Sequence, residues 1–134
     1  MEVAQQLLAR LEIKCKVPSK KNLLRPSSNG RGRRATPLVY KTGIREQLLE
    51  IEQHIMLGWR GRKPVVHPRL EVWFYCTNKS QDRDGMWTTV LDCMKKVGVI
   101  FDDSIEWNNG LETKHPATIV PNDRLARIVV EVYA

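Results

Sequence analysis

The sequence predicts a mixed α/β fold, an α+β-like mixed sheet with two main helices, in a single domain over residues 1–134. Three observations carry that expectation. Apolar residues alternate with polar ones around residues 11–17 and 70–76, they recur at helical spacing from 44 and again from 86, and a chain of 134 residues suits one core. The order is strand, long loop, helix, strand, helix, further strands.

The elements follow in turn. Leu11, Ile13, Cys15 and Val17 alternate with Glu12, Lys14 and Lys16, the pattern of a half-buried strand that Pro18 ends. A mobile basic loop is expected over about 18–38, where Ser27, Ser28, Asn29, Gly30 and Gly32 cluster. Ile44, Leu48, Ile51 and Ile55 mark one face of an amphipathic helix from about Thr42 to Leu57, with Thr42 as N-cap and Gly58 as stop. Leu70, Val72, Phe74 and Cys76 alternate with Glu71, Trp73 and Tyr75 in a strand of β-formers. Met86, Val90, Cys93 and Val97 define a second helix from about Asp84 to Val97. Lys95 and Lys96 suit the negative end of its dipole, and Gly98 closes it. Val99–Phe101 leads into Asp102-Asp103, a strand is expected within Trp107–Lys114 with a turn at Asn108-Asn109-Gly110, and Ile128–Tyr133 reads as the last strand.

Net charge is +7 and the pI about 9.6. The excess is local. Lys14, Lys16, Lys20, Lys21, Arg25, Arg31, Arg33, Arg34 and Lys41 give nine cations without an intervening Asp or Glu, so the rest of the chain carries −2. Like charges so placed repel one another, and a phosphate backbone relieves that repulsion. Lys20, Lys21, Arg25, Arg31, Arg33 and Arg34 are the candidate DNA-binding cations.

Several classes are set aside. Cys15, Cys76 and Cys93 form no CxxC and no His-interleaved spacing, so zinc is not expected, and an odd unpatterned count fits a reducing cytoplasm. The first twelve residues lack a basic start with an apolar run, and no apolar stretch approaches the ~20 residues of a membrane span. His54, His67 and His115 show no pairing by spacing.

Carboxylates carry the candidate chemistry. Asp82 and Asp84 flank one residue before the second helix, and in an extended segment both point the same way. One helix and one short strand later come Asp102 and Asp103, enough chain to return Asp103 beside the first pair. Carboxylates held close repel unless a cation joins them, and oxygen ligands select Mg²⁺ or Mn²⁺. Equally, Asp84 can cap the helix, Asp82 can be a loop charge and Asp102-Asp103 a turn. Asp92 lies ~80° round and ~12 Å along an ideal helix from Asp84, too far for direct ligation, and pairing with Lys95 or Lys96 explains it.

These residues resemble the RusA family of crossover junction endodeoxyribonucleases. Its core pattern is Asp-x-Asp-Asn, a Lys three residues on, an Asp on the same helix, a Gly-apolar turn and an Asp-Asp pair. Here the stretch reads Asp82-Arg83-Asp84-Gly85-Met86-Trp87-Thr88-Thr89-Val90-Leu91-Asp92, then Lys96-Val97-Gly98-Val99-Ile100-Phe101-Asp102-Asp103, without a gap. Pro18-Ser19-Lys20-Lys21-Asn22 resembles the family's Pro-x-Ser-x-Asn turn, Val39-Tyr40-Lys41 its entry to the long helix, and Lys114 a lysine on the strand after the Asp-Asp pair. The resemblance runs from about residue 10 to the end and implies a RusA-like homodimer. Each of its sites would bind Mg²⁺ through Asp82, Asp84 and Asp103 and cut four-way (Holliday) DNA junctions by paired nicks, with Asp92, Asp102 and Arg83 in support. Two positions depart from the pattern: Gly85 replaces the Asn, and Thr88 replaces the catalytic Lys. Either another cation, Lys79, Arg83 or Lys114, reaches the site, or cleavage is weak or lost and the chain is a junction-binding protein. A third reading is an RNA-binding or RNA-cutting domain, with Trp59, Trp73, Trp87 and Trp107 as stacking faces, although Trp59 and Trp87 suit packing on helix margins.

Overall fold

The protein was described from a computed structural model, which places residues 6–20, 23–26, 38–100 and 112–134. It is a mixed α+β fold with a mixed sheet and two helices. The strands are β1 (Leu7–Ile13), β2 (Leu24–Pro26), β3 (Leu38–Tyr40), β4 (Arg69–Cys76), β5 (Glu112–Lys114), β6 (Thr118–Ile119) and β7 (Arg127–Tyr133). Helix α1 (Ile44–Trp59) precedes β4 and α2 (Arg83–Val97) follows it. The main sheet runs β1-β7-β4-β5. β1–β7 and β7–β4 pair antiparallel, while β5 and then β6 pair parallel with the far edge of β4. β2 and β3 form a separate antiparallel pair.

Period-two patterning decides the sheet faces. β4 alternates half-buried and buried along its length, with Leu70, Val72, Phe74 and Cys76 inward. Leu11 and Ile13 of β1 and Ile128, Val130 and Val132 of β7 share that inner face and meet Ile51, Ile55 and Trp59 of α1 and Val90, Cys93 and Met94 of α2. Burying each such aliphatic side chain contributes roughly 1.5–3 kcal/mol. The other face of the sheet carries planar pairs. Arg69 lies over Tyr133 and Arg127 over Tyr75, each 3.9 Å from the ring centroid, and Trp73 stacks on His115.

Several expectations move. The first strand is Leu7–Ile13 rather than residues 11–17, because β7 supplies partners only from Leu7↔Tyr133 to Ile13↔Ile128. Alternation beyond Ile13 falls on residues 14–19, which form no strand and bury Val17. Helix α1 begins after Gly43 (φ 83°), not at a Thr42 cap, and ends at Arg60 (φ 57°). Gly58 is therefore inside the helix. A Cβ there would meet Leu11 Cδ2 at 2.8 Å and the Arg10 carbonyl at 3.1 Å, so Gly58 is where α1 seats on β1. The expected loop over 18–38 contains β2, whose register with β3 runs Leu24↔Tyr40 to Pro26↔Leu38. Trp59, the last residue of α1, and Trp87 of α2 are packed in the core, and their indole N–H groups donate to Arg62 O (2.8 Å) and Glu112 Oε2 (3.0 Å). Trp107 and the expected turn at 108–110 lie outside the described residues. Among the described residues no helix is long and apolar enough to cross a membrane.

Candidate active site

Helix α2 starts where Asp82 (φ −77°, ψ 85°) turns the chain, and its Oδ1 accepts the backbone N–H of Gly85 at 3.2 Å. Capping thus falls to Asp82, and Asp84 stands in the first helical turn with no capping role. The two carboxylates straddle a helix start rather than an extended segment. Both nevertheless line one cleft of about 460 Å³, together with Phe74, Gln81, Arg83, Lys114, His115 and Pro116. Carboxylates beside a helix N-terminus are favoured by its dipole.

Lys114 arrives from β5. Parallel pairing sets Lys114 opposite Val72 of β4, and its Nζ lies 3.0 Å from Asp84 Oδ1. Asp84 remains 86% exposed at its side chain, so the pair is open to solvent and to a ligand. Thr88 donates its hydroxyl to the Asp84 carbonyl at 3.0 Å. That bond lies along the helix, and Thr88 is not among the residues lining the cleft. Among the described residues, Lys114 and Arg83 are the cations that line it.

Three consecutive residues after β1 fasten to α2. Thr89, buried, donates to Pro18 O at 2.8 Å; Ser19 Oγ donates to Asp82 Oδ2 at 2.6 Å; Lys20 Nζ pairs with Asp92 Oδ2. Both oxygens of Asp82 are thereby oriented. Asp92, expected to meet Lys95 or Lys96, instead ties Lys20 to the helix, and Lys96 lies 3.6 Å from Glu52 of α1. Gly85 makes the fastening possible, because a Cβ there would lie 2.0 Å from Ser19 Oγ and 2.4 Å from Asp82 Oδ2. Glycine at this position thus has a local steric reason.

His115, given no role from sequence, enters the cleft with a fixed ring. It stacks on Trp73 (centroids 4.3 Å apart, planes 3° off parallel), and Nε2 is 3.0 Å from Glu71 Oε1. Arg69 Nη1 in turn donates to Glu71 Oε2 at 2.7 Å. Ser19, Thr89, Gln81 and Glu71 also escaped sequence reasoning; only Ser19, within the Pro-x-Ser-x-Asn resemblance, carried a signal. Gln81 Oε1 is buried with no hydrogen-bond partner among the described residues, an acceptor beside the acidic pair. The carboxylate and amide oxygens of Asp82, Asp84 and Gln81 suit a hard hydrated cation.

Asp102 and Asp103, and the cations Lys21, Arg31, Arg33 and Arg34, lie outside the described residues. The side chain of Arg25, on β2, does so too. No protein-family model matches the chain, and no curated protein does.

Proposed function

We propose that the protein is a Mg²⁺-dependent, structure-selective endonuclease that resolves four-way DNA junctions by paired symmetric nicks, with water as nucleophile. One observation carries the proposal: two carboxylates at the start of α2 and a lysine from β5 line a single cleft. Carboxylate oxygens suit a hard cation, and a lysine suits a phosphate. Asp82, Asp84 and Asp103 would hold Mg²⁺ (or Mn²⁺), which supplies Lewis-acid polarisation of the phosphodiester and acidifies water. The chain's own groups do the rest. Lys114, paired with Asp84, stands where it would bind the scissile phosphate. Arg83 adds positive charge at the cleft, Ser19 keeps Asp82 in one rotamer, and the basic segment holds the DNA backbone. A homodimer would present two such clefts related by a twofold axis, as symmetric nicking requires.

The test is incubation of the purified protein with a synthetic four-way junction, with Mg²⁺ or with chelator. Paired nicks that need Mg²⁺ and vanish in Asp82→Asn are expected. Absence of metal-dependent nicks, or equal nicking by Asp82→Asn, overturns the proposal.

Thr88 favours a second reading, a junction-binding protein of the same fold with weak or no cleavage. Its hydroxyl is engaged by the helix backbone and brings no charge to the cleft. Under that reading, tight salt-sensitive junction binding yields no product until Thr88→Lys restores the missing cation.

A further inference from the structure

A second cluster of ligating groups lies away from the acidic cleft, on the α1 side of β1. Cys15 stands two residues past the end of β1, and Glu50 and His54 are one turn apart on α1. The packing of α1 on β1, with Gly58 seated against Leu11, brings these distant residues together. The Cys15 sulfur, a Glu50 carboxylate oxygen and a His54 ring nitrogen all lie within 4.8 Å of one another. Residues four apart on a helix share a face, so Glu50 and His54 project toward Cys15 together.

We propose that Cys15, Glu50 and His54 form a zinc-class transition-metal site, distinct from the acidic cleft. Three observations carry it. The donor set is one sulfur, one nitrogen and one oxygen, which selects Zn²⁺ or Co²⁺ over Mg²⁺. Among the described residues no side-chain hydrogen bond or salt bridge competes for any of the three groups. Access is open, because Glu50 is exposed and Cys15 and His54 are half-buried. Three protein ligands leave a fourth position to water, the arrangement of an open zinc site rather than a closed one.

The site has a mechanical meaning. Cys15 lies three residues before Pro18, where the chain begins its fastening to α2. An ion at Cys15, Glu50 and His54 would pin the start of that segment to α1, while Thr89 and Asp82 hold its end. The two helices would then be joined through one short stretch of chain.

The test uses the full chain and metal alone, without DNA. Calorimetric titration of chelator-treated protein with ZnCl₂ in excess MgCl₂ is expected to show one zinc per chain, and zinc is expected to raise Tm. Co²⁺ is expected to give a thiolate-to-cobalt charge-transfer band in the near ultraviolet. Cys15→Ser should abolish that band and lower zinc affinity by more than about tenfold, since loss of even an indirect supporting residue costs that much. His54→Ala, at a helix-surface position, should lower the affinity likewise if Cys15→Ser fails to fold. No zinc binding in excess Mg²⁺, or binding undiminished in both variants, overturns the proposal. So does a cobalt complex without a thiolate band.

Discussion

Lys114 Nζ and Asp84 Oδ1 lie 3.0 Å apart, across a cleft between a three-residue strand and the first turn of α2. The pair is exposed, so its worth to stability is small; surface ion pairs contribute about 0–1 kcal/mol. Lys114→Ala is therefore expected to leave the melting temperature nearly unchanged. In a junction-nicking assay it should lower the cleavage rate by about 100-fold or more, the usual effect of removing one donor to a developing negative charge. Unchanged cleavage would place the catalytic cation elsewhere.

Gly85 is a packing position. Gly85→Ala drives a methyl into Ser19 and Asp82 and should destabilise the protein by about 1–3 kcal/mol, read from urea unfolding. Gly85→Asn, with a larger side chain, should destabilise it at least as much. If Gly85→Asn proved neutral, Ser19 would not be fastened to Asp82.

Thr89→Val keeps the shape of a buried side chain but deletes the hydroxyl that reaches Pro18 O. A loss of about 1 kcal/mol is expected, with more if the carbonyl is left dry. A double-mutant cycle with Ser19→Ala should show coupling, because both residues hold the same three-residue stretch.

Stability should fall at alkaline pH. Burial pushes the Cys93 thiol up to about 12 and the Cys15 thiol up to about 11, each with a further push from a nearby glutamate, and Cys76 is also raised by burial. The unfolded thiols lose their protons first, near their ordinary value of about 8.5. Above that pH the folded state binds more protons than the unfolded one, so stability declines as pH rises. The contribution is complete below about pH 8.5 and is lost by about pH 12. Urea unfolding at stepped pH should show this decline, and Cys93→Ala should flatten it. A stability that rises from pH 8.5 upward would contradict the assigned burial.

Arg33→Ala with Arg34→Ala should weaken junction binding irrespective of sequence. The slope of log affinity against log salt should flatten by about two units. An unaltered slope would put the phosphate backbone on other cations.

Long regular elements were legible in the sequence, and the joints between them were not. β4 and α2 declare themselves because eight and fifteen residues of clean alternation or helical recurrence outweigh local exceptions. β2 and β6, at three and two residues, are too short for any period to register. Gly58 read as a helix stop because a glycine required by a neighbouring strand looks the same in sequence as one required by a turn. The same holds at the site. Asp82 and Asp84 announce themselves by proximity, whereas Ser19 reaches Asp82 across 63 positions and Cys15 reaches Glu50 only through the seating of α1 on β1. His115 had no partner by spacing because Trp73 and Glu71 meet it across the β4–β5 pairing.

The two borders of the main sheet are treated differently, and this bears on how the protein behaves when crowded. On one border, β5 and β6 occupy successive parts of β4, so much of its row of amides and carbonyls is already taken. On the other, β1 is irregular between Leu7 and Ala9 and carries Arg10 and Glu12, with Lys14 just beyond, ion-paired at 3.7 and 3.1 Å. A kinked, charged margin is a poor template for a foreign strand. Concentrated samples should therefore stay dispersed, and filament growth by edge-to-edge strand addition is disfavoured from the outset.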